Sequence, residues 1–406
     1  MSNDRKMILL VNALVTGHHE AAWRLPDAQP TRLRDIAYYQ EIARTAERGR
    51  FDAMFVADFF VYYPGVRYSP RWELDPITLM AGVAAATATI GLIATGSATF
   101  ASAEEIARTF ATLDQASAGR AAWNIVTNGE PQASANFGQE KPVPHAERYA
   151  RGGALVEDVL ALWRQGPAGA LGIPPSPQGR PVLVQAGSSP QGRDFAARYA
   201  EIVFTAQNTL SDAQAFRSDL RERAQAYGRD PDRIKVIPGF SPSLGASDAD
   251  ARQRKAALDG LIAPEASLAW LAGFGVDLAG MPLDGPLPPV LGDIEKFEGI
   301  KSRFGVIAGL IERERPQTIR ALLNLLAGSR GHVAVSGAPE TIATHMAEWF
   351  EAEAADGFMI MPHALPGDLD VFVDRVIPLL AQRGLLREPT SAITLRERLG
   401  LTLHDH

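Results

Sequence analysis

Short, nearly continuous apolar runs alternate along this chain with longer stretches whose apolar residues recur every three or four positions. Met7–Leu14 is the first run. Phe51–Ala57, Ile90–Thr95, Ala121–Val126, Pro181–Ala186, Ile202–Thr205, Ile234–Phe240 and Gly357–Met361 follow it. A strand covered on both faces reads this way, because it has no solvent side to mark with polar residues. Between the runs, Asp35–Gly49 is typical. Ile36, Tyr39, Ile42, Ala43 and Ala46 share one helical face, Arg and Glu lie opposite, and a glycine ends it. The same period predicts helices over Pro76–Thr89, Ala103–Ser117, Ala146–Arg164, Pro190–Tyr199, Leu210–Tyr227 and Asp368–Arg383. Strands in strict alternation with crossover helices imply a parallel sheet. Eight such units point to an α/β fold, a TIM (β/α)8 barrel forming a single domain over residues 1–406.

One excursion, residues 264–331 (Pro264 to Gly331), breaks the rhythm between strands seven and eight. It holds a Pro/Gly-rich loop from Gly280 to Pro289 and two helices, Ser302–Arg313 and Gln317–Gly328. Long insertions in a barrel serve as lids or oligomer contacts, so a lid-like role is expected here. From Glu388 onward the pattern supports an ordered wrap at best.

Composition narrows the partners. The formal net charge is −7 and charged residues make up 21% of the chain. A nucleic-acid binder needs a basic footprint, and an anionic membrane surface attracts basic segments, so neither partner is expected. Cysteine is absent, which removes disulfides, thiolate metal sites and a Cys nucleophile together. Arg5 and Lys6 ahead of the apolar Met7 to Val15 mimic a signal peptide. Asn12 interrupts that run and no small-residue cleavage site follows, so a buried strand is the better reading. A cytoplasmic protein fits.

Barrel chemistry sits at the carboxyl ends of the strands. Those ends read Thr16-Gly17-His18-His19, Ala57-Asp58, Thr95-Gly96-Ser97, Asn124 to Asn128, Gly187-Ser188-Ser189 and Gln207-Asn208. They are small and hydrogen-bonding, and carboxylates and histidines do not converge there in metal-binding number. Gly187-Ser188-Ser189-Pro190 leaves a strand and opens a helix, where backbone N–H groups and the helix dipole suit a phosphate. An ordinary serine cap fits about as well, and the polar neighbouring ends tilt the balance to phosphate. Asp58 could accept from a ring N–H or serve a turn. Asn124 can donate and accept at once, or brace a loop. His145 and Tyr149 share a helix face, for a cofactor or for packing. Trp23, Arg24 and Trp72 lie in loops at the same end, to shield the site or pack the loops. Arg24, Arg67 and Arg71 are the loop arginines placed to meet an anionic substrate.

Taken in order, these segments resemble the bacterial luciferase-like superfamily, and within it the nitrilotriacetate, dibenzothiophene-sulfone and long-chain alkane monooxygenase branch. The resemblance is carried by Gly17-His18-His19 through Trp23-Arg24, by Ala46 to Asp52 leading to Ala57-Asp58, and by Gly119-Arg120 to Trp123-Asn124-Ile125-Val126-Thr127. Asn136-Phe137-Gly138, His145 to Arg148-Tyr149, Gln185 to Ser189, Phe204 to Gln207 and Asp356-Gly357-Phe358 complete it. It covers nearly the whole chain. It implies an FMNH2-dependent monooxygenase that uses O2 through a flavin C4a-hydroperoxide and draws reduced FMN from a separate NAD(P)H:flavin reductase. It also implies a homodimer or homotetramer. Asp58, Thr95, Asn124, His145, Tyr149, Gly187, Ser188 and Ser189 fall on FMN-holding positions. Asn124, Thr127 and Asn128 are expected near the reacting edge, with His18 or His332 as proton-transfer group. Two departures stand out. The segment from Gly166 to Gly179 is shorter than usual, and Asn128 replaces the serine of the usual Val-Thr-Ser. A deazaflavin-dependent dehydrogenase of the same superfamily and a non-catalytic flavin-binding protein are the alternatives. A barrel hydrolase would need a carboxylate pair or metal ligands that the strand ends lack.

Overall fold

The computed structural model describes residues 5–61, 70, 74–273, 276–292, 301–388 and 394–401. Its parallel strands are β1 (Ile8–Asn12), β2 (Ala53–Val56), β3 (Gly91–Ser97), β4 (Ala121–Val126), β5 (Val182–Gln185), β6 (Ile202–Thr205), β7 (Lys235–Leu244), β8 (Val333–Gly337) and β9 (Gly357–Ile360). Pairing runs β6-β5-β4-β3-β2-β1-β9-β7, and β6 pairs back onto β7. Eight strands therefore close into the expected barrel, with helices outside it. Each expected strand is present, shortened or extended by a few residues.

Two features differ from the sequence expectation. β7 continues to Leu244, beyond Phe240, and its upper half leaves the barrel to pair with β8 from Phe240↔Val333 to Leu244↔Gly337. The apolar run is broken by Ser241, Pro242 and Ser243, so its continuation is masked. β8 is half exposed in its middle and carries no long apolar run, so no pattern announces it. The helices Asp248–Asp259, Pro264–Gly273 and Pro339–Glu351 were also unforeseen. The first buries only Ala251 and Leu258. The last buries Ile342, Ala343, Met346, Ala347, Trp349 and Phe350 and was legible.

The barrel interior is filled by inward side chains such as Leu10, Ile93, Val184 and Met359. Leu395, Leu399 and Leu401 close it from below, so the C-terminal wrap is a plug. Thr394 and Glu397 form a reciprocal cap on its short helix. A Cβ at Gly91 would lie 2.6 Å from Leu395, so the strand is bare where the plug enters. Glu201 sits beside the plug, paired with both Arg180 and Arg396 and accepting from Leu183 N–H at 3.0 Å.

The excursion builds its own small core. Leu271, Leu278, Leu291, Ile307, Leu310 and Leu322 pack together between the helices Pro264–Gly273, Lys301–Glu314 and Ile319–Ser329. Each fully buried aliphatic side chain contributes roughly 1.5–3 kcal/mol, so this segment is held by its own apolar contacts. No helix among the described residues is long and apolar enough to cross a membrane.

Candidate active site

A cavity of about 430 Å³ opens at the carboxyl ends of the barrel strands, within the range of about 300–1,000 Å³ typical of small-molecule sites. It gathers His18, Asp58, Asn124, Asn128, His145, Tyr149, Gly187, Ser188, Ser189 and His332. Most of the residues singled out from sequence thus meet in one place.

The floor is polar and incompletely paired. Asn124 stands in register with Thr95 on the neighbouring strand and donates Nδ2–H to its Oγ1 at 2.9 Å. Thr95 in turn donates to the Val56 carbonyl at 2.9 Å. The other end of the amide, Asn124 Oδ1, is buried without a partner, as are Asn12 Oδ1 and Thr205 Oγ1. Asn12, Asn124 and Thr205 all line the cavity. An unsatisfied buried polar atom costs about 1–3 kcal/mol. Three converging on one void define a place for a ligand with a hydrogen-bonding edge.

The corner after β5 has the geometry of an anion site. Ser189 caps the helix Pro190–Tyr199, its Oγ accepting from Gly192 N–H at 3.1 Å. That hydroxyl keeps its own proton for a ligand, so the cap and the phosphate readings coexist. Arg193 Nε–H holds the Ser188 carbonyl at 3.0 Å. Tyr149 Oη lies over two glycines: a Cβ on Gly187 or on Gly192 would sit 2.9 Å from it. Glycine is required at both positions for this close approach. His145 packs edge-on against Tyr149, with ring centroids 5.1 Å apart. Burial, then Arg148, pushes the His145 pKa down.

Asp58 accepts from Phe60 N–H at 2.8 Å through Oδ1. This Asx turn lets Phe60 take a left-handed φ of 57°. Burial raises the Asp58 pKa, against its backbone hydrogen bonds and reinforced by Asp75. His18 is buried, and neither ring nitrogen makes a well-formed hydrogen bond. Burial, Arg330, His332 and His363 together drive its pKa well below the ordinary histidine value, against a Ser329 backbone contact. At neutral pH it is an uncharged imidazole facing the cavity. His332 stands 6.0 Å from it, ring to ring, and stacks on Phe204 at 5.1 Å.

Asn128 lines the cavity and accepts at Oδ1 from Ser97 Oγ at 2.7 Å. A hydroxyl from β3 therefore orients the Asn128 amide. Two expected residues do not line the cavity. Thr95 lies beneath Asn124 and acts through it, while Thr127 faces the outer helix, its methyl 2.9 Å from where a Cβ on Gly152 would be. Arg24 is also elsewhere. It lies over the Trp23 ring at 5.0 Å and donates to the Leu261 carbonyl at 3.0 Å, packing the loop against the turn that follows the helix Asp248–Asp259. Arg67, Arg71 and Trp72 fall outside the described residues.

Sequence reasoning missed Asn12, Glu130, Thr205, Phe204, Arg330 and Met361 as cavity residues. For Asn12 the signal was present, since an amide inside a buried apolar strand needs a reason. Arg330 carried none, because its loop belongs to an excursion with no strand-end landmark.

Comparison with known proteins follows the same lines. The family model described as luciferase-like monooxygenase matches residues 14–356. N-acetyl-S-(2-succino)cysteine monooxygenase of Bacillus subtilis (strain 168) is 39% identical, over 99% of this chain and 98% of its own. Nitrilotriacetate monooxygenase component A of Aminobacter aminovorans is 37% identical over the same shares. Among solved structures, a riboflavin lyase with modified FMN and its substrate riboflavin superposes with a TM-score of 0.83. It is 29% identical, and the match covers 98% of this chain and 96% of that one.

Proposed function

The chain belongs to the luciferase-like monooxygenase family, and on that premise we propose that it is an FMNH2-dependent monooxygenase inserting one atom of O2 into a small organic substrate. The observation that carries this reading is the convergence of unpartnered Asn124 Oδ1, Asn12 Oδ1 and Thr205 Oγ1 on a cavity whose far corner is the Ser188–Ser189 helix start. A polar ring edge satisfies the first set and a phosphate the second, which is the shape of FMN's chemistry. Bound reduced FMN supplies the two electrons that activate O2 for transfer of one oxygen atom.

The chain's own residues do the rest. Ser188, Ser189, Tyr149 and His145 would hold the phosphate and its chain, with Gly187 allowing close approach. Asn124, fixed by Thr95, and Asp58 would orient the ring system. Phe55, Phe204 and Met361 exclude water from the inner wall, which a reactive oxygen donor requires. His18, uncharged and without a firm partner, can accept and return a proton on the substrate side, with His332 as the next ring. Asn128, after β4, lines the cavity on the side of Asn124, while Thr127 faces the outer helix. The excursion 264–331 contributes Arg330 to the mouth and would serve as its lid. The name "component A" of the nitrilotriacetate relative supports a separate NAD(P)H:flavin reductase as partner, and a cytoplasmic homodimer or homotetramer completes the proposal.

The test supplies photoreduced FMN and 18O2 to the purified chain, with N-acetyl-S-(2-succino)cysteine and nitrilotriacetate among the substrates offered. One 18O atom per product and one FMNH2 consumed is the expected result. No incorporation from any substrate, together with reduced FMN bound no better than reduced deazaflavin, overturns the reading.

A further inference from the structure

Among the described residues, Arg330 is the one lysine or arginine that lines the mouth cavity. It is half-buried, and it holds an unusual backbone. Its φ is +47°, in the left-handed region, at the end of the helix Ile319–Ser329, and Gly331 follows at +87°. Glycine or asparagine ordinarily takes such a helix end. A long cationic side chain there is strained, and strain of this kind is kept where the side chain is needed.

The loop around it is pinned from several directions. Arg330 N–H bonds to the Leu326 carbonyl at 2.7 Å and Gly331 N–H to Ser329 Oγ at 3.2 Å. Asn208, after β6, donates to the Gly331 carbonyl at 3.1 Å and accepts from Arg313 of the helix Lys301–Glu314 at 2.9 Å. The guanidinium is thus delivered to the cavity from a braced backbone.

Its place in the ring decides what it serves. Going round the closed barrel, β1 lies four strands from β5 in either direction. The Ser188–Ser189 corner follows β5, whereas the helix end that carries Arg330 packs on the loop after β1: Glu20 N–H donates to the Ala327 carbonyl at 3.3 Å, and a Cβ on Gly328 would lie 3.1 Å from the His19 ring. Arg330 therefore enters the mouth beside the loop after β1, with Gly331 reaching over to Asn208 after β6. The carboxylates lining the cavity, Asp58 and Glu130, follow β2 and β4 and each already accepts a backbone N–H.

We propose that Arg330 is the specificity-determining residue for the oxidation, and that the substrate carries a carboxylate received by its guanidinium on the β1 side of the mouth. A guanidinium matches a planar carboxylate with two parallel N–H donors. This rests on the monooxygenase reading and adds the substrate class to it.

The test measures the affinity of the FMN-loaded chain for paired probes, thiodiacetate and nitrilotriacetate against their methyl esters, by calorimetry. The acids are expected to bind at least 10-fold tighter than the esters, less so at high ionic strength. Arg330→Gly relieves the left-handed strain and should fold at least as stably, while losing about 10- to 100-fold in acid affinity with the esters unchanged. Arg330→Lys should recover part of that loss. FMN retention is read separately by fluorescence. Acids binding no tighter than esters in the wild type, or Arg330→Gly leaving their ratio unaltered, overturns the proposal. Failure to bind FMN at all strikes the monooxygenase reading instead, so the two failures are distinguishable.

Discussion

The two ends of the barrel treat buried polar groups in opposite ways. At the lower end, Glu201 accepts from Arg180 at 3.0 Å through each oxygen, from Arg396, and from a backbone N–H. Asp52 meets Arg387 at 3.1 Å and Asp356 meets Arg217 at 3.0 Å. At the mouth, Asn12, Asn124, Thr205 and His18 each keep a buried polar atom without a partner. A chain that satisfies its charges at one end and leaves neutral dipoles open at the other separates stability from function along one axis. This division is the general habit of the fold, and here it can be assigned atom by atom.

The largest effect should come from breaking the lower end. Burial alone would raise the Glu201 pKa, but Arg180 and Arg396 outweigh it and hold the group at about 2, below its ordinary 4.5. Because the folded value is depressed, the stabilisation is fully present above about pH 4.5 and is lost as pH falls toward 2. Glu201→Gln leaves Arg396 buried and short of its counter-ion, at a cost of about 3–5 kcal/mol. Chemical denaturation at pH 7 and at pH 3 measures this. The variant should lose stability at pH 7 and show a flatter acid limb. Adding Arg396→Met should restore part of the loss, because the orphaned charge is gone. An additive double variant would mean that the pair is not the unit of stability.

The mouth should respond in activity rather than in stability. Asn124→Ala removes an oxygen with no protein partner and one hydrogen bond to Thr95, so unfolding free energy should move by no more than about 1 kcal/mol. Oxygenation should fall by about 10²–10³-fold, the usual cost of losing a positioned dipole at a reacting centre. Steady-state FMNH2 oxidation coupled to product, with thermal melts alongside, separates the two. A large drop in melting temperature with intact turnover would place Asn124 with the lower end of the barrel.

Legibility in the sequence follows the same division. The barrel strands are legible because burial on both faces leaves unbroken apolar runs. Strand ends inherit that clarity, which is how Asp58, Asn124 and Ser189 were found. β8 and the upper half of β7 were hidden because they pair outside the barrel, half exposed and interrupted by Pro242. Arg330 was hidden for a related reason. Its position is set by the excursion's packing and by a left-handed turn, neither of which leaves a periodic trace. The plug at Leu395 was reduced to a wrap because four helical residues are too few to show a period. The segment 166–179 stood out in the sequence only by being short. In the structure its Ser176 and Gln178 bond Asp114, and Gln178 also bonds Arg396, so those residues brace the lower end.

The smallest effect should distinguish cap from phosphate ligand at Ser189, where one hydroxyl serves both ends of the comparison. As a cap it accepts from Gly192 N–H at 3.1 Å, and Ser189→Ala should cost about 1 kcal/mol of stability. As an anion ligand it donates its own proton, and FMN affinity should fall about 10-fold. Riboflavin has no phosphate, so it reports the cap alone, and its affinity should hold within about twofold. Fluorescence titration of both flavins against wild type and Ser189→Ala reads the difference directly. Ser189→Gly retains most of the cap's stability, since glycine is tolerated there within a few tenths of a kcal/mol, yet it lacks the hydroxyl. It should keep riboflavin binding and lose FMN binding as the alanine variant does. Equal losses for the two flavins in both variants would reduce Ser189 to a structural cap and shift the phosphate to Ser188, Tyr149 and the helix amides.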